Sequence, residues 1–496
     1  MRIEGVRDLL ARLTPRVVTW TCGVVLLMHL GLRLALIPQY RAEMGGIEHN
    51  VIHGIQKLLL DIPLYQDPED PPFDVIQYTP AYHGLCALIA RVLGIGGEDV
   101  RAVFLLSRIV ALALTLGAAW FVFGMARRLQ APQWIAFLTS AVTFCSYFEQ
   151  VYSRPDALQS FATLAGLSLF LVWCDDRRAW RIVAMGGMMA LGVLSKQSGV
   201  LLLGLPVIAL LALKEHKALL QYLSVACITI ALCLLPFVVQ SGWYIVMKNV
   251  VQGVSNGTSW LLWSTLFDPA TYKYYAGWHI LLVVLVVLGL RAPDVKLRML
   301  AFFAPCAVLF GLLTGLKSGS WLNYLHEGLT LTYLGIAGLI GAGAARSRSM
   351  LLTLSFSFLS LLYMSYRTSS LLTWYRKGLP DRENREAYER DQRIARYLHK
   401  EVLTGSDDLV LVNYRAYLEH FLVGRSALTQ KDVIRYSARP SFDYSNVHRA
   451  LRDGTIRYVV NDTDTTGFTV LDSVHAEGSI LRVIEGRAII DLEPRP

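Results

Sequence analysis

Charged residues are scarce. Asp, Glu, Lys and Arg make up 17% of the 496 residues, against roughly 25% in soluble domains. Hydrophobic residues make up 54%, and the mean hydropathy is +0.42. That balance excludes an ordinary soluble globule and points to a polytopic membrane protein. CxxC pairs and ligand clusters are also missing. Cys22, Cys86, Cys145, Cys174, Cys227, Cys233 and Cys306 all lie in or beside apolar segments. They read as small membrane hydrophobes, not as disulfides or metal ligands. There is no internal repeat and no low-complexity tract. Arg2, Arg7, Arg12 and Arg16 precede the first apolar run, but no small-residue cleavage site follows it. The run therefore reads as an uncleaved anchor. The net charge is +9, yet the basic residues are scattered at the ends of apolar runs. A positive-inside bias explains them, and no nucleic-acid partner is expected.

What is present is a series of apolar stretches long enough to cross a bilayer, about 20 residues each. They fall at 17–38, 103–126, 131–151, 156–174, 180–196, 198–214, 218–239, 277–291, 297–316, 325–345 and 348–366, about eleven spans. The stretch 80–95 is shorter and reads as a helix lying at the interface. "MARRLQ", "DDRRAWR", "LKEHK", "RAPDVKLR" and "ARSRS" fall on one side with the basic N-terminus. That side is expected to be cytoplasmic. The external side then holds 39–102, 152–155, the corner near 197, 240–276, 317–324 and everything from 367. The chain divides into a membrane domain, 1–366, with a large first external loop at 39–102, and a soluble tail, 367–496. In the tail, "DRENREAYERDQRIARYLHKEV", "AYLEHFL" and "NVHRALRDG" read as helical. "DLVLV" and "IRYVV" read as buried strands, so a small α/β domain is expected. It would cap the external face, either contacting an acceptor or serving stability alone.

Ionisable groups near the external ends of spans carry the chemistry, because each is costly at membrane depth. Arg33, Arg108, Arg154, Asp156, Lys196, Asn323, His326 and Glu327 all fall there, and so does Glu48 of the first loop. Cations and carboxylates at one depth suit an anionic lipid headgroup and an acid/base group. Bland readings stand beside these: snorkelling for Arg33, packing for Arg108, a helix boundary for Arg154 and Asp156, and a local pair for His326 and Glu327. Glu43 reads as solvated, and Asp67, Glu69 and Asp70 as a solvated turn. His49 and His53 lack a third ligand at metal spacing.

Five segments in order, "IEHNVIHGIQKLLLDIPLYQD", "YTPAYHGLCALIARVLG", "SRIVALAL", "SRPDALQ" and "LSKQSG", carry a family likeness. The chain resembles the GT-C glycosyltransferases that use polyprenyl-phosphate sugars, of the protein mannosyltransferase and aminoarabinose transferase type. Motifs cover roughly 15–215 and architecture the rest. Glu48 matches the Glu of that family's acidic Asp-Glu motif by its distance from Leu64-Tyr65. Ile47 replaces the Asp, and Tyr78-Thr79-Pro80 replaces the Lys/His-Pro-Pro element with its basic phosphate contact. No WWD-type signature is present, which argues against an oligosaccharyltransferase.

The resemblance implies an inverting displacement at a sugar linked through phosphate to an isoprenoid. The phosphate needs cations more than a general acid, and the acceptor hydroxyl needs one carboxylate base. It implies Glu48 as base, with Asp156 orienting the acceptor or sharing the role. Arg108, Arg154 and Lys196 hold the phosphate. Tyr78, Asn323, Tyr324, His326 and Glu327 contact sugar or acceptor. No cofactor is required, although Glu48, Asp156 and a phosphate allow a divalent metal. The expected partners are the lipid bilayer, a polyprenyl-phosphate sugar donor, and a glycolipid, glycan or protein acceptor. A cell-envelope glycan such as lipopolysaccharide, the bacterial inner membrane and a periplasmic tail fit this reading. A lipid-linked sugar transporter or flippase, and a non-catalytic assembly subunit, remain as alternatives.

Overall fold

The computed structural model describes residues 2–40, 47–254, 257–343, 349–377, 381–405, 408–412, 418–429, 442–443, 445–462, 479–484 and 486–492. Helices account for most of it. In chain order they are α1 (Arg2–Leu36), α2 (Ile47–Leu59), α3 (Ala81–Val92), α4 (Val100–Arg128), α5 (Gln133–Ser146), α6 (Asp156–Asp176), α7 (Ala179–Ser195), α8 (Gly199–Ala212), α9 (His216–Ser241), α10 (Trp243–Val250), α11 (Leu261–Phe267), α12 (Pro269–Gly289), α13 (Val295–Thr314), α14 (His326–Gly341), α15 (Ser349–Lys377), α16 (Asp381–Tyr397) and α17 (Ser445–Arg452). Each of the eleven apolar stretches is helical. Six helices among the described residues are long and apolar enough to cross a membrane: α1, α4, α6, α9, α12 and α13. α5, α7 and α8 are apolar but shorter, so helix count and span count are different quantities. The protein is an integral membrane protein with a helical domain and a small C-terminal α/β unit.

Helix starts follow capping chemistry. Asp99 accepts from the Ala102 N–H, Asp268 from Thr271 with Pro269 in the first turn, and Asp294 from Lys296. Glycine lets helices come close where apolar packing, not water, must hold them together. A Cβ at Gly328 of α14 would sit 2.7 Å from Val308 of α13, and one at Gly311 would strike the Tyr324 carbonyl. Those two approaches fix the 322–325 turn that carries Asn323 and Tyr324.

The tail holds a five-stranded sheet of β1 (Leu409–Val412), β2 (Ser426–Ala427), β3 (Ile456–Asp462), β4 (Ser479–Ile484) and β5 (Arg487–Asp491), in the order β2-β1-β3-β5-β4. β1 pairs in parallel with β2 and β3, whereas β5 runs antiparallel to β3 and β4. β1 and β3 match the two strands expected from sequence, while β2, β4 and β5 are additions. "AYLEHFL" was expected to be helical. Its described part holds only a 3-10 turn, Leu418–His420, and residues 413–417 lie outside the described set.

The tail packs directly on the loop between α1 and α4. Phe73 is 1% exposed and belongs to the same apolar cluster as Leu409, Leu411, Val459 and Ile490. Leu428 N–H donates to Pro72 O at 2.9 Å. Asp74 accepts from Lys57 and from the Thr429 hydroxyl of the tail, with His53 at 3.5 Å. Burial alone would push the Asp74 carboxyl up, but Lys57 and His53 outweigh it and hold the group well below the carboxylate range.

Candidate active site

Glu48 stands in the first turn of α2 and is completely buried. Arg108 of α4 grips it with two parallel bonds, Nε to Oε1 and Nη2 to Oε2, both 2.7 Å. The Ser153 N–H adds a third at 2.9 Å. Arg108 Nη1 donates to Ile37 O at 3.0 Å and to Gln39 O, and the guanidinium lies 5.3 Å from the Phe104 and Tyr152 rings. A planar fork matched to a carboxylate is the strongest common ion-pair geometry. Here it ties the end of α1 to α2, α4 and the 152–155 connection.

A second centre lies at the mouth of α6. Asp156 Oδ1 accepts from Lys196 Nζ and from Asn323 Nδ2, each at 2.7 Å. Its Oδ2 is buried and has no hydrogen-bond partner among the described residues. Lys196 Nζ also stands 4.3 Å over the Tyr324 ring. Glu327 of α14 accepts from Ser160 of α6 at 2.8 Å. Asp156, Lys196, Asn323, Tyr324 and Glu327 line one cleft, together with Gln159 and Thr314. The sequence forces this convergence at a tight corner. Gly199 opens α8 against the Gly192 backbone, where a Cβ would come within 2.7 Å. Ser195 donates to Pro155 O at 2.6 Å, Gln197 to Val250 O at 2.7 Å, and Thr79 to Val193 O at 2.9 Å. Lys196 is therefore held between α6 and the first loop, with no long flexible reach to solvent.

The charges of Lys196 and Lys317 reach the phenols beside the cleft. Burial would raise the Tyr324 phenol, but Lys196 and Lys317 outweigh it and hold the phenol below its usual value. Burial and the neighbouring Lys196 lower the Lys317 ammonium in turn. Burial raises the Tyr78 phenol, against the opposing charge of Lys196, so Tyr78 borders the same field. Arg154 is 7% exposed, and its charge acts on Asp156.

Sequence reading missed Lys317 because it stands in an unremarkable loop. It also missed Glu149, which is buried with both carboxylate oxygens lacking a hydrogen-bond partner among the described residues. Arg154 and Arg367 are the cations that act on it. "FEQ" carries no motif, so only the fold reveals that carboxylate.

Several bland readings give way. Arg33 does not snorkel: it is fully buried, donates to Gln150 O at 2.9 Å and lies 4.7 Å from the Phe144 ring centre. His326 and Glu327 are not a pair, for the His326 ring meets Tyr147 edge-on at 5.1 Å while Glu327 takes Ser160. Asp67 and Glu69 are not merely solvated, since Lys248 of α10 bridges them at 2.6 and 2.7 Å. Glu43 lies outside the described residues.

No protein-family model and no curated protein matches the sequence. Solved structures do. ArnT from Cupriavidus metallidurans in the apo state superposes with a TM-score of 0.61 at 13% identity, covering 95% of this chain and 98% of that one. The Archaeoglobus fulgidus oligosaccharyltransferase in complex with Zn and sulfate gives 0.55 at 13% identity, covering 90% and 68%. The archaeal oligosaccharyltransferase AglB from the same organism, in complex with an inhibitory peptide and a dolichol-phosphate, gives 0.52 at 12%, covering 90% and 69%. At such identities the likeness is one of fold, and the GT-C architecture expected from the motifs is the architecture found.

Proposed function

We propose that this protein is an inverting glycosyltransferase that moves a monosaccharide from a polyprenyl-phosphate donor to an acceptor on the external side of the membrane. The observation that carries the reading is Asp156. Its one oxygen is anchored by Lys196 and Asn323, and its other oxygen is unpartnered among the described residues in a cleft beside Tyr324 and Glu327. A carboxylate held this way is oriented, is matched by a cation, and keeps one buried oxygen without a hydrogen-bond partner among the described residues. Orientation within reach of an attacking hydroxyl is the first requirement for a base, and withdrawal of Lys196 toward the donor phosphate would restore the basicity that its charge suppresses.

The residues divide into two groups. Asp156 is the base in this reading, and Glu48 is a positioning residue. Every bond of Glu48 goes to Arg108 and Ser153, and Ser153 lies three residues before Asp156, so the pair holds the segment that carries the base. Lys196, Lys317 and Arg154 neutralise the departing phosphate, a form of charge stabilisation worth most where water is excluded. Tyr78, Asn323, Tyr324 and Glu327 face sugar or acceptor. A shared metal between Glu48 and Asp156 suits the geometry poorly, because a cation, Arg108 or Lys196, already matches each carboxylate. The orientation follows from the Lys/Arg bias: N-terminus inside, cleft and tail outside, in a bacterial inner membrane. The purified protein, given polyprenyl-phosphate sugars and candidate glycolipid, glycan or peptide acceptors, should release polyprenyl phosphate only when donor and acceptor match. A protein that binds and translocates the donor without release would refute the reading in favour of a flippase.

A further inference from the structure

His49, one residue beyond Glu48, faces the tail. Its Nδ1 lies 2.8 Å from Nε2 of His420, and the two rings stack with centres 5.1 Å apart. Glu419 completes a group whose ligand atoms all lie within 4.8 Å of one another. All three are buried, at 9%, 1% and 5% exposure for His49, His420 and Glu419. Sequence spacing shows no third ligand near His49 because the ligands come from the tail, 371 positions away.

We infer that His49, Glu419 and His420 form a binding site for a divalent metal, zinc by its chemistry, that clamps the tail to α2. Two imidazoles and a carboxylate are a zinc set, with a fourth position left for water. The ring orientation supports it. His420 Nδ1 meets Gln56 Oε1 at 3.3 Å, and an amide oxygen there can only accept. The proton therefore sits on Nδ1, and the Nε2 lone pair faces His49. A hydrogen bond from the far ring nitrogen is the usual way a metal-binding histidine is set in its tautomer. Gln56 Nε2 also donates to His420 O at 2.8 Å, and Phe104 closes the side with an edge contact of 5.2 Å. Two nitrogens bound to tetrahedral zinc at about 2.0–2.1 Å stand roughly 3.3 Å apart. The observed 2.8 Å thus needs the two rings to open by about half an ångström. The inference is independent of the sugar-transfer reading, since none of the three residues lines the Asp156 cleft.

The test uses full-length protein in detergent, purified on an affinity tag without histidine. It is stripped with a chelator and reloaded with zinc sulfate. Wild type should retain about one zinc per chain after desalting, and its melting temperature should fall on stripping and recover on reloading. X-ray absorption of the loaded wild type should show a nitrogen/oxygen shell with imidazole scattering. His49→Gln and His420→Gln should each lose the zinc and the chelator response, while His53→Gln keeps both. The inference is overturned if stripped wild type takes up no zinc or shows no chelator-dependent melting. A thiolate shell, or full zinc retention in folded His49→Gln and His420→Gln, overturns it equally. If those variants do not fold, the absorption spectrum of wild type decides alone.

Discussion

Replacing Glu48 with glutamine separates a positioning role from a catalytic one. The carboxylate is wholly buried and receives three N–H donors, two from Arg108 and one from Ser153. Glutamine keeps the shape, but its amide nitrogen must face one of those donors. The Arg108 guanidinium, also buried, loses its counter-charge. Removing one partner of a buried, hydrogen-bonded ion pair costs about 3–5 kcal/mol, which is roughly a hundred- to several-thousand-fold in a conformational equilibrium. Glu48→Gln should therefore lower the melting temperature markedly in scanning fluorimetry. Arg108→Met should do the same. The double variant should be less damaged than the sum of the singles, because neither charge is then left alone. Turnover should fall in proportion to the fraction of folded protein. If Glu48→Gln melts like wild type yet loses turnover about 100-fold or more, the pair opens during the reaction. Glu48 is then the base, and the assignment to Asp156 is refuted.

Asp156→Asn should leave donor binding nearly intact and reduce polyprenyl-phosphate release by about 100- to 10,000-fold; near-normal turnover would remove it from the reaction. Lys196→Met should weaken donor affinity by about tenfold or more, the effect of about 1.4 kcal/mol, and unchanged affinity by calorimetry would assign Lys196 to holding Asp156 alone. Asp74 ties the first loop to Thr429 of the tail. Its folded value lies below its unfolded value of 3.8, so its stabilisation is complete above about pH 4 and is lost as the pH falls further. Asp74→Asn should make the tail more sensitive to limited proteolysis at pH 7 and should flatten that acid dependence. A cysteine placed at Lys400, whose side chain is 82% exposed, should react with an impermeant maleimide on intact spheroplasts; labelling only after permeabilisation would invert the topology.

The helical scaffold was legible because hydropathy reports it directly: each apolar stretch is a helix, and the short 80–95 segment became α3. Asp156 and Lys196 were legible for a different reason. A charge flanked by apolar sequence must be matched by something, and here each matches the other. Pairing across the fold was not legible. Nothing in "SRIVALAL" says that Arg108 turns to Glu48, 60 positions earlier, rather than to a phosphate. Glu149 and Lys317 lack any motif and acquire their charged surroundings only through the fold, Glu149 from Arg154 and Arg367 and Lys317 from Tyr324 and Lys196. The antiparallel half of the tail sheet escaped because "SILRVI" and "RAIID" are short, and their partner strand was already accounted for.

The embrace of the first loop by the tail also sets an order of events in biosynthesis. His420 meets Gln56 across 364 positions of chain, so α2 is made long before its partner exists. At ordinary elongation rates of about 5–20 residues per second, that interval is roughly 20–70 s. Through it, the apolar Phe73 and the Asp74 cluster lack the tail residues that cover them. A chain cut short before β5 would leave the Phe73 face of the loop without the strand residues that cover it. Quality control would meet the fault in the 39–102 loop, far from where the chain was cut.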